Sequence, residues 1–588
     1  MLLDKITSPA DVKSLDEGQL GILADEIRQG ILNRVSHHGG HVGPDLGFVE
    51  ATIALHRVFD APTDKIVFDV SHQVYPHKML TGRAYGFFDN DRLDEISGYS
   101  SPLESPVYDN FEIGHTSTSV ALATGLQKAR DLLGGTENVV AVIGDGSLSG
   151  GEAFEGLDMA AELGTNIIVV VNDNEMSIAE NHGGLYRNLA LLRSTGGKAD
   201  LNFFRALGFD YVYVEQGNDI PALVKAFAGV KDTPRPTVVH IHTEKGHGYA
   251  PAVADKERWH WSMPFDVATG RPLDTTPYES PAGVLGKWLR EEMKRDPKLT
   301  CIAAAVPASV GFGPEERRAA GPQFVDVGIA EEEAVALASA MAKRGAHPVF
   351  STYATFIQRT YDQLAQDLCV NGNAAVINVI GASLFGMNDF THICFFDIPM
   401  LSHIPNLVYL APTTYEEMIA MEAWAVRQEQ CPVAIRVPEG EVAHSDEVYD
   451  AEYTAHPRYK VVTEGSGVAV IALGSFFEKG KRVVSMLAGH GIKATLVNPR
   501  YACGVDEEVL GALAADHQVV ATLEDGCVDG GFGERIARFY GPTAVRTLCF
   551  GVRKALYDRY DAQQLLRDNR LADDQIVADI MAVCSDMK

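Results

Sequence analysis

Two polar residues, Asp145 and Asn174, stand where they could bind a divalent metal ion together. Asp145 lies in a Gly-Asp-Gly turn directly after the apolar run NVVAVI, and Asn174 ends the next apolar run along the chain. A helical segment separates the two runs, so a parallel crossover would bring both side chains to one edge of a sheet. Their oxygens suit Mg²⁺, while the N–H groups of Gly144, Gly146 and the following helix start suit a diphosphate.

Runs of Val and Ile predict the buried parallel strands that would position such residues. The runs end in polar or Gly-containing turns, and longer helical patterns separate them. Because α/β sheets bind ligands at the carboxyl ends of their strands, these turns are candidate sites. We predict an α/β fold with doubly wound layers throughout, built on NVVAVIGDG (138–146), NIIVVVNDN (166–174), TVVHIHTEKG (237–246), HPVFSTYATF (347–356), AAVINVIGAS (374–383) and GVAVIALGS (467–475).

Two segments interrupt this alternation and predict domain boundaries. Residues 263–281 are dense in Pro, Thr and Asp, and residues 437–459 are polar and acidic. The chain has 588 residues, enough for several domains with their own cores. We expect three α/β domains, at residues 1–270, 280–440 and 455–588.

The composition restricts the class of partner. The chain has 50 Lys+Arg against 79 Asp+Glu, a formal net charge of −29. This acidity argues against nucleic-acid and anionic-membrane surfaces, which need clustered positive charge, but it leaves small anionic substrates that are met by local donors or a metal. The eight cysteines form no C-x-x-C pair, and no leader or membrane-length apolar run is visible. We therefore expect a soluble cytoplasmic protein.

Several histidines lie where they could transfer protons near neutral pH. His41, His72 and His115 occur in Gly-rich or turn-like segments, and His392 follows a Gly-containing loop. A histidine in such a place is more often a polar residue satisfied by its neighbours. The segment HHGGH (37–41) could also be interpreted as a zinc site, but its short spacing, flexible glycines and missing carboxylate argue against one.

The Gly-Asp-Gly turn and Asn174 belong to a longer series of landmarks. The others, in chain order, are SHHGGHVGPDLG (36–47), FDVSHQVYPHKMLTGR (68–83), ESPVYDNFEIGHTSTSVALATG (104–125), EKGHGYAPA (244–252), FVDVGIAEEEAV (324–335), STYATFIQRTYDQ (351–363), THICFFDI (391–398) and GGFGERIA (530–537). In this order they resemble the 1-deoxy-D-xylulose-5-phosphate synthase family, a branch of the transketolase superfamily of thiamine diphosphate (ThDP) enzymes. The resemblance covers essentially the whole chain.

The resemblance implies a cofactor site. Its three transketolase-type domains would bind the diphosphate, bind the pyrimidine and support a homodimer, in that order along the chain. Mg²⁺ would be bound by Asp145, Asn174 and the backbone carbonyl of Met176. The residues that would line ThDP are His72, Gly114, His115, Thr116, Asp145, Gly146, Ser147, Asn174, Tyr249 and Glu331.

Glu331, in the GIAEEE segment, matches the family carboxylate that contacts the aminopyrimidine ring. A buried carboxylic acid there can protonate or hydrogen-bond the ring nitrogen. Without the resemblance, three successive glutamates indicate a solvated helix start. The catalytic residues implied are Glu331, His41, His392 and His260, and those implied to contact substrate are Tyr353, Arg359, Asn388 and His392.

The implied activity is decarboxylation of pyruvate and transfer of its two-carbon unit to an aldehyde, glyceraldehyde 3-phosphate in the family, for isoprenoid biosynthesis. The family's Asp-Arg-Ala-Gly turn is here Ile-Gly-Ala-Ser (380–383), and its Tyr-Pro-Arg-Gly is Val-Pro-Glu-Gly (437–440). Gly381 and Glu439 thus replace two arginines expected to hold the acceptor phosphate. A glutamate facing a phosphate opposes binding.

Four interpretations follow from these departures. The acceptor pocket has changed, or Arg359, Arg436 or a lysine supplies the phosphate contact and the activity is the ordinary one. A transketolase-type ketol transfer from a sugar phosphate is an alternative, as is a catalytically silent ThDP-binding paralogue. Loss of the carboxylate at Glu331 would indicate the silent paralogue, and Glu331 is present.

Overall fold

The computed structural model describes residues 1–440 and 442–586. The chain forms two compact units, the first comprising Met1–Pro277 with Gly328–Ala330 and the second Tyr278–Val327 with Glu331–Lys588. Among the described helices, none is both long enough and apolar enough to span a membrane.

The first unit is built on a five-stranded parallel sheet with the order β2-β3-β4-β6-β5. A separate antiparallel pair joins β1 to β7. Residues Val139–Ile143 are all buried, as expected for a strand covered on both faces. The strands are β1 (Gly40–His41), β2 (Lys65–Phe68), β3 (Val139–Gly144), β4 (Ile168–Asp173), β5 (Asp210–Val214), β6 (Thr237–His242) and β7 (Trp261–Ser262).

Helices pack on both faces of this sheet. The crossover helix between β3 and β4 lies close to its neighbour, because a Cβ at Gly156 would stand 2.9 Å from the backbone nitrogen of Ala121. Both of these helices end at a glycine in the left-handed conformation. The helices are α1 (Pro9–Val12), α2 (Glu17–His38), α3 (Gly43–Gly47), α4 (Val49–Val58), α5 (Tyr75–Lys78), α6 (Tyr85–Phe88), α7 (Ser119–Leu133), α8 (Gly151–Leu163), α9 (Gly184–Ser194), α10 (Phe203–Leu207), α11 (Ile220–Val230) and α12 (Ala250–Ala254).

The second unit contains two sheets. One has six parallel strands in the order β12-β13-β11-β10-β8-β9, and the other has five in the order β14-β16-β15-β17-β18, with β14 antiparallel to β16. The strands are β8 (Leu299–Ala303), β9 (Phe324–Asp326), β10 (His347–Tyr353), β11 (Val376–Ile380), β12 (Val408–Leu410), β13 (Val433–Arg436), β14 (Lys460–Thr463), β15 (Gly467–Ala472), β16 (Thr495–Asn498), β17 (His517–Cys527) and β18 (Arg546–Val552).

The helices of the second unit include one whose start carries a predicted site residue, Glu331. They are α13 (Pro281–Met293), α14 (Pro314–Ala320), α15 (Glu331–Lys343), α16 (Ala354–Ile357), α17 (Asp397–Leu401), α18 (Tyr415–Arg427), α19 (Phe477–Gly489), α20 (Glu507–Asp516), α21 (Phe532–Tyr540), α22 (Ala562–Asp568) and α23 (Asp573–Asp586). The predicted α/β class is confirmed, and all six predicted apolar runs contain a strand.

Candidate active site

The carboxyl edge of β3 and β4 positions Asp145 and Asn174. Gly144 pairs with Asn172 across the two strands, and the Asp145 N–H donates to the Asn172 carbonyl over 3.0 Å. Asp145 is buried, and one of its carboxylate oxygens accepts a hydrogen bond from Asn181 at 2.7 Å. Asp145 and Asn174 therefore follow neighbouring strands at one edge, as the sequence predicts.

This edge carries oxygen atoms without hydrogen-bond donors. Among the described residues, the buried Oδ1 of Asn174 and Oγ of Ser177 have no hydrogen-bond partner. Gly146 packs directly on the second of these residues, since a Cβ there would lie 2.9 Å from Ser177 Oγ. Met176, between them, is half-buried. One carboxylate, one amide oxygen and backbone carbonyls fit a hard cation such as Mg²⁺.

The electrostatic environment of Asp145 also fits a bound cation. Burial, followed by the nearby charge of Asp173, raises the pKa of Asp145 well above its ordinary value. A cation would offset both effects by stabilising the ionised carboxylate. In the described part of the chain, no cluster of three or more His, Cys, Asp or Glu residues could hold a metal ion. A metal at Asp145 would thus depend on the amide and carbonyl oxygens and on a ligand's own oxygens.

Lys245 lies at the same edge and was not identified from the sequence. It is buried, and its Nζ donates a hydrogen bond to the Ser177 carbonyl at 2.6 Å. Burial lowers the pKa of Lys245 to about 7. The segment EKGHGYAPA contains this lysine, but a lysine in a Gly-rich turn is typical of solvated loops, so its type alone gave no signal.

Three predicted histidines from distant segments lie together. The ring centroids of His41, His72 and His260 are separated by 5.3 to 5.4 Å. The pairing of β1 with β7 sets His41 opposite Trp261, the residue after His260. Burial, followed by the charge of Lys245, lowers the pKa of His72 to about 3 and that of His260 well below its ordinary value. The imidazoles of His72 and His260 are therefore neutral near pH 7.

A buried carboxylate, Asp69, organises the segment that carries Gly114, His115 and Thr116. Its two oxygens accept hydrogen bonds from the backbone N–H groups of Ser117 and Ser119 at 2.7 and 2.9 Å. The Ser117 hydroxyl donates to the Ser147 carbonyl at 2.8 Å. These bonds place the Gly114–Thr116 segment beside the turn that contains Gly146 and Ser147.

Tyr249, a predicted cofactor residue, is buried as the N-cap of α12. Its hydroxyl donates to the Val267 carbonyl at 2.9 Å, and its ring meets the Trp259 ring edge-on with centroids 5.3 Å apart. The hydroxyl and the ring of Tyr249 therefore both have contacts within the first unit.

In the second unit, Glu331 is the first residue of α15 and is only 4% exposed. Burial raises the pKa of Glu331 to about 7, and the charge of Arg359 opposes this rise. Its buried Oε2 has no hydrogen-bond partner among the described residues. Three glutamates at a helix start are usually exposed to solvent. Here Glu333 is exposed, whereas Glu331 is buried.

Three of the four residues predicted to contact substrate lie in two places. Tyr353 ends β10, and its ring is linked to that of His392 through Phe356, with centroid distances of 5.9 and 5.8 Å. His392 is buried and shares a 2.9 Å hydrogen bond with the Thr391 hydroxyl. The Asn388 side chain is exposed and donates to the Tyr560 carbonyl at 2.9 Å, so its amide nitrogen is engaged away from those rings.

The two positions that replace arginines differ in character. Gly381 follows β11 with φ +67°, a conformation that favours glycine, and a Cβ there would lie 3.5 Å from the Tyr353 ring. Glu439 is half-buried and accepts a hydrogen bond from the Tyr278 hydroxyl at 3.3 Å. Burial raises the pKa of Glu439.

Arg436, one candidate for a phosphate contact, is occupied inside the protein. Its guanidinium donates to the carboxylate of Asp397 at 2.8 and 3.2 Å and also to Asp525. All three side chains are buried. Arg436 is therefore committed to two carboxylates and has no face left for a ligand phosphate.

The similarity to known proteins extends along nearly the whole chain. Residues 3–202 match the family described as 1-deoxy-D-xylulose-5-phosphate synthase, residues 282–444 the transketolase pyrimidine binding domain, and residues 458–576 the transketolase C-terminal domain. A 1-deoxy-D-xylulose-5-phosphate synthase of Desulforudis audaxviator is 38% identical over 609 residues, covering 96% of this chain and 95% of the relative. That of Pelotomaculum thermopropionicum is 36% identical over 620 residues, covering 99% and 96%. A solved transketolase of Campylobacter jejuni aligns over 97% of this chain and 100% of its own, with 14% identity and a TM-score of 0.44.

Proposed function

We propose, from the premise that the chain belongs to the 1-deoxy-D-xylulose-5-phosphate synthase family and is a ThDP-dependent transferase, that it decarboxylates pyruvate and joins the two-carbon unit to an aldehyde. The observation that carries this proposal is the set of buried, unpaired acceptor atoms on residues of the cofactor motifs, Asn174 in the first unit and Glu331 in the second. A buried polar atom without a partner is uncommon and is a position that a ligand or a water can complete, so these two atoms, on residues of the cofactor motifs, support a bound cofactor.

In the first unit we assign Mg²⁺ to Asp145, Asn174 and the Met176 carbonyl. The unpaired Oδ1 of Asn174 and the raised pKa of Asp145 support this assignment. The ThDP diphosphate would accept hydrogen bonds from the N–H groups after Asp145, at the start of a short helical turn. Lys245 would add a positive charge, because a neighbouring diphosphate anion favours its protonated form. The remaining lining residues we propose are His72, Gly114, His115, Thr116, Gly146, Ser147 and Tyr249.

When bound, ThDP supplies the nucleophilic carbon and the electron sink that decarboxylation requires. We propose that Glu331 holds a proton on Oε2 for the ring nitrogen of the cofactor's pyrimidine. A pKa of about 7 supports this role, because such a carboxyl can both hold and release a proton near neutral pH. His41 and His260 would face the substrate and exchange protons with it, and His260, neutral near pH 7, offers an unprotonated ring nitrogen. Tyr353, Arg359, Asn388 and His392 are our proposed substrate contacts.

Three further features belong to the same proposal. We infer three domains at residues 1–270, 280–440 and 455–588, a homodimer, and a place in the cytoplasm. All eight cysteines are unpaired, which supports a reducing compartment.

The experiment is to incubate the purified protein with ThDP, Mg²⁺, pyruvate and an aldehyde, and to identify the product by mass spectrometry. We expect CO₂ and a 1-deoxyketose. A ketose phosphate as donor, without pyruvate, separates the transketolase-type alternative, because ketol transfer releases no CO₂. A protein that forms neither product while it binds ThDP would be the silent paralogue.

A further inference from the structure

Three neighbouring strands of the six-stranded sheet bring Tyr353, Gly381 and Glu439 to one edge. The strands β10, β11 and β13 are adjacent and parallel, so their carboxyl ends lie side by side. Tyr353 ends β10, Gly381 follows β11, and Glu439 comes three residues after β13. Gly381 has no side chain, and a Cβ there would lie 3.5 Å from the Tyr353 ring.

Glu439 and the glycine after it each contact an aromatic residue. The Tyr278 hydroxyl donates to its Oε2 at 3.3 Å. The next residue, Gly440, has φ +84° and lies against the Phe385 ring, where a Cβ would come within 2.4 Å of the ring. This turn therefore favours glycine at position 440. The Glu439 carboxylate beside it is half-buried.

The negative charge of Glu439 raises the pKa of neighbouring residues. Burial, and then the charge of Glu439, raises the pKa of Tyr278 to about 12. The same charge contributes to the raised pKa of Tyr353 and of Cys394, after burial. A phosphate dianion in this place would meet like charge or would force the carboxyl to take up a proton, and both effects oppose binding.

Cations do not compensate for this carboxylate within the described residues. In the described part of the chain, whose gaps are residue 441 and the last two residues, burial and the Tyr278 hydroxyl shift the pKa of Glu439, and no lysine or arginine contributes. Arg436, only three residues away, is taken by Asp397 and Asp525. Arg359 lies near enough to Glu331 to lower the pKa of that carboxyl.

We propose that Glu439 is a specificity-determining residue that makes this subsite select an uncharged hydroxyaldehyde and reject a phosphorylated one. The proposal rests on the proposed function, whose acceptor it specifies. The carboxylate accepts hydrogen bonds from the hydroxyl groups of the aldehyde, and the phenols of Tyr278 and Tyr353 supply further polar contacts. Carboxylates and tyrosines are suited to neutral polyhydroxy ligands, while phosphate groups are best matched by arginine.

The test compares glyceraldehyde with glyceraldehyde 3-phosphate as acceptors at saturating pyruvate. We expect the wild-type kcat/KM for glyceraldehyde to exceed that for the phosphorylated aldehyde. Glu439→Arg should shift this ratio roughly 100-fold toward the phosphorylated aldehyde, because a like charge is exchanged for an opposite one. Glu439→Gln removes the charge with little change in size, and it should shift the ratio in the same direction by a smaller factor.

The matched control is Glu464→Arg, the same change of charge at an exposed position of the second unit. It should leave the ratio unchanged. A wild-type protein that prefers glyceraldehyde 3-phosphate and releases CO₂ would overturn this inference while leaving the proposed function intact. Absence of CO₂ with every aldehyde would instead overturn the proposed function, and the inference with it. If Glu439→Arg fails to fold, the wild-type ratio and Glu439→Gln still decide the question.

Discussion

Replacing Arg436 with methionine tests the claim that this arginine stabilises the second unit through a buried ion network. The guanidinium bridges Asp397, at the start of α17, and Asp525, in β17 of the other sheet. The side chains of all three are at most 3% exposed. Removal of the arginine would leave two buried carboxylates without a cation, a change that costs about 3–5 kcal/mol in comparable sites.

The remaining contacts place the expected cost near the lower end of that range. The Tyr409 hydroxyl still donates to Asp397 at 2.5 Å, and the Ser475 hydroxyl to Asp525 at 2.6 Å. We therefore expect Arg436→Met to lower the free energy of unfolding by about 3 kcal/mol. Urea unfolding followed by tryptophan fluorescence measures this change, and the second unit contains two of the four tryptophans, Trp288 and Trp424.

The control is Arg427→Met, at the exposed end of α18, which should change stability by no more than about 0.5 kcal/mol. Adding Asp397→Asn and Asp525→Asn to the Arg436 variant should recover part of the loss, because the uncompensated charges are then gone. An Arg436→Met protein as stable as the control would refute the assignment of a buried ion network.

Three further predictions concern single carboxyl groups. Glu422 in α18 is fully buried, and burial raises its pKa from 4.5 to about 8. The protonated carboxyl therefore contributes fully to stability below pH 4.5, and this contribution is lost as the pH rises through 8. The stability of wild type relative to Glu422→Gln should fall by about 1.4 kcal/mol per pH unit across that interval in urea unfolding, and a constant difference would contradict it. Asp145→Ala should abolish Mg²⁺-dependent ThDP binding in calorimetry without lowering the melting temperature of the cofactor-free protein, and wild-type affinity would remove the cofactor assignment. Glu331→Gln should slow turnover by about 10²–10⁴-fold while ThDP still binds, and a wild-type rate would show that this carboxyl holds no essential proton.

The strands were predictable because their signal is local. The run NIIVVVNDN has five successive apolar residues, Ile167–Val171, and ends in polar residues, a pattern typical of a short strand covered on both faces. The edge strand β14 escaped prediction since three of its four residues are exposed and no burial pattern marks it. Its antiparallel pairing with β16 depends on a partner more than 30 residues away.

Some residues of the candidate site can be identified from the local sequence, and others only from the folded chain. Asp145, Asn174 and the histidine motifs follow strands or Gly-rich turns, so their types and neighbours identify them. Lys245 is recognised as a site residue only in the folded chain, where the segment after β6 lies beside the residues after β4. The pair Tyr278 and Glu439 is separated by 161 residues, and only the folded chain shows that it forms.

The most direct test of the central claim is the release of labelled CO₂ from pyruvate carrying the label in its carboxyl group. The assay compares the wild-type protein, with and without ThDP and Mg²⁺, with Asp145→Ala, in the presence of glyceraldehyde or glyceraldehyde 3-phosphate. We predict release that requires both ThDP and Mg²⁺ and is lost in the variant. No release with either aldehyde, or equal release by Asp145→Ala, would contradict the assignment of a ThDP-dependent decarboxylating transferase with its metal at Asp145.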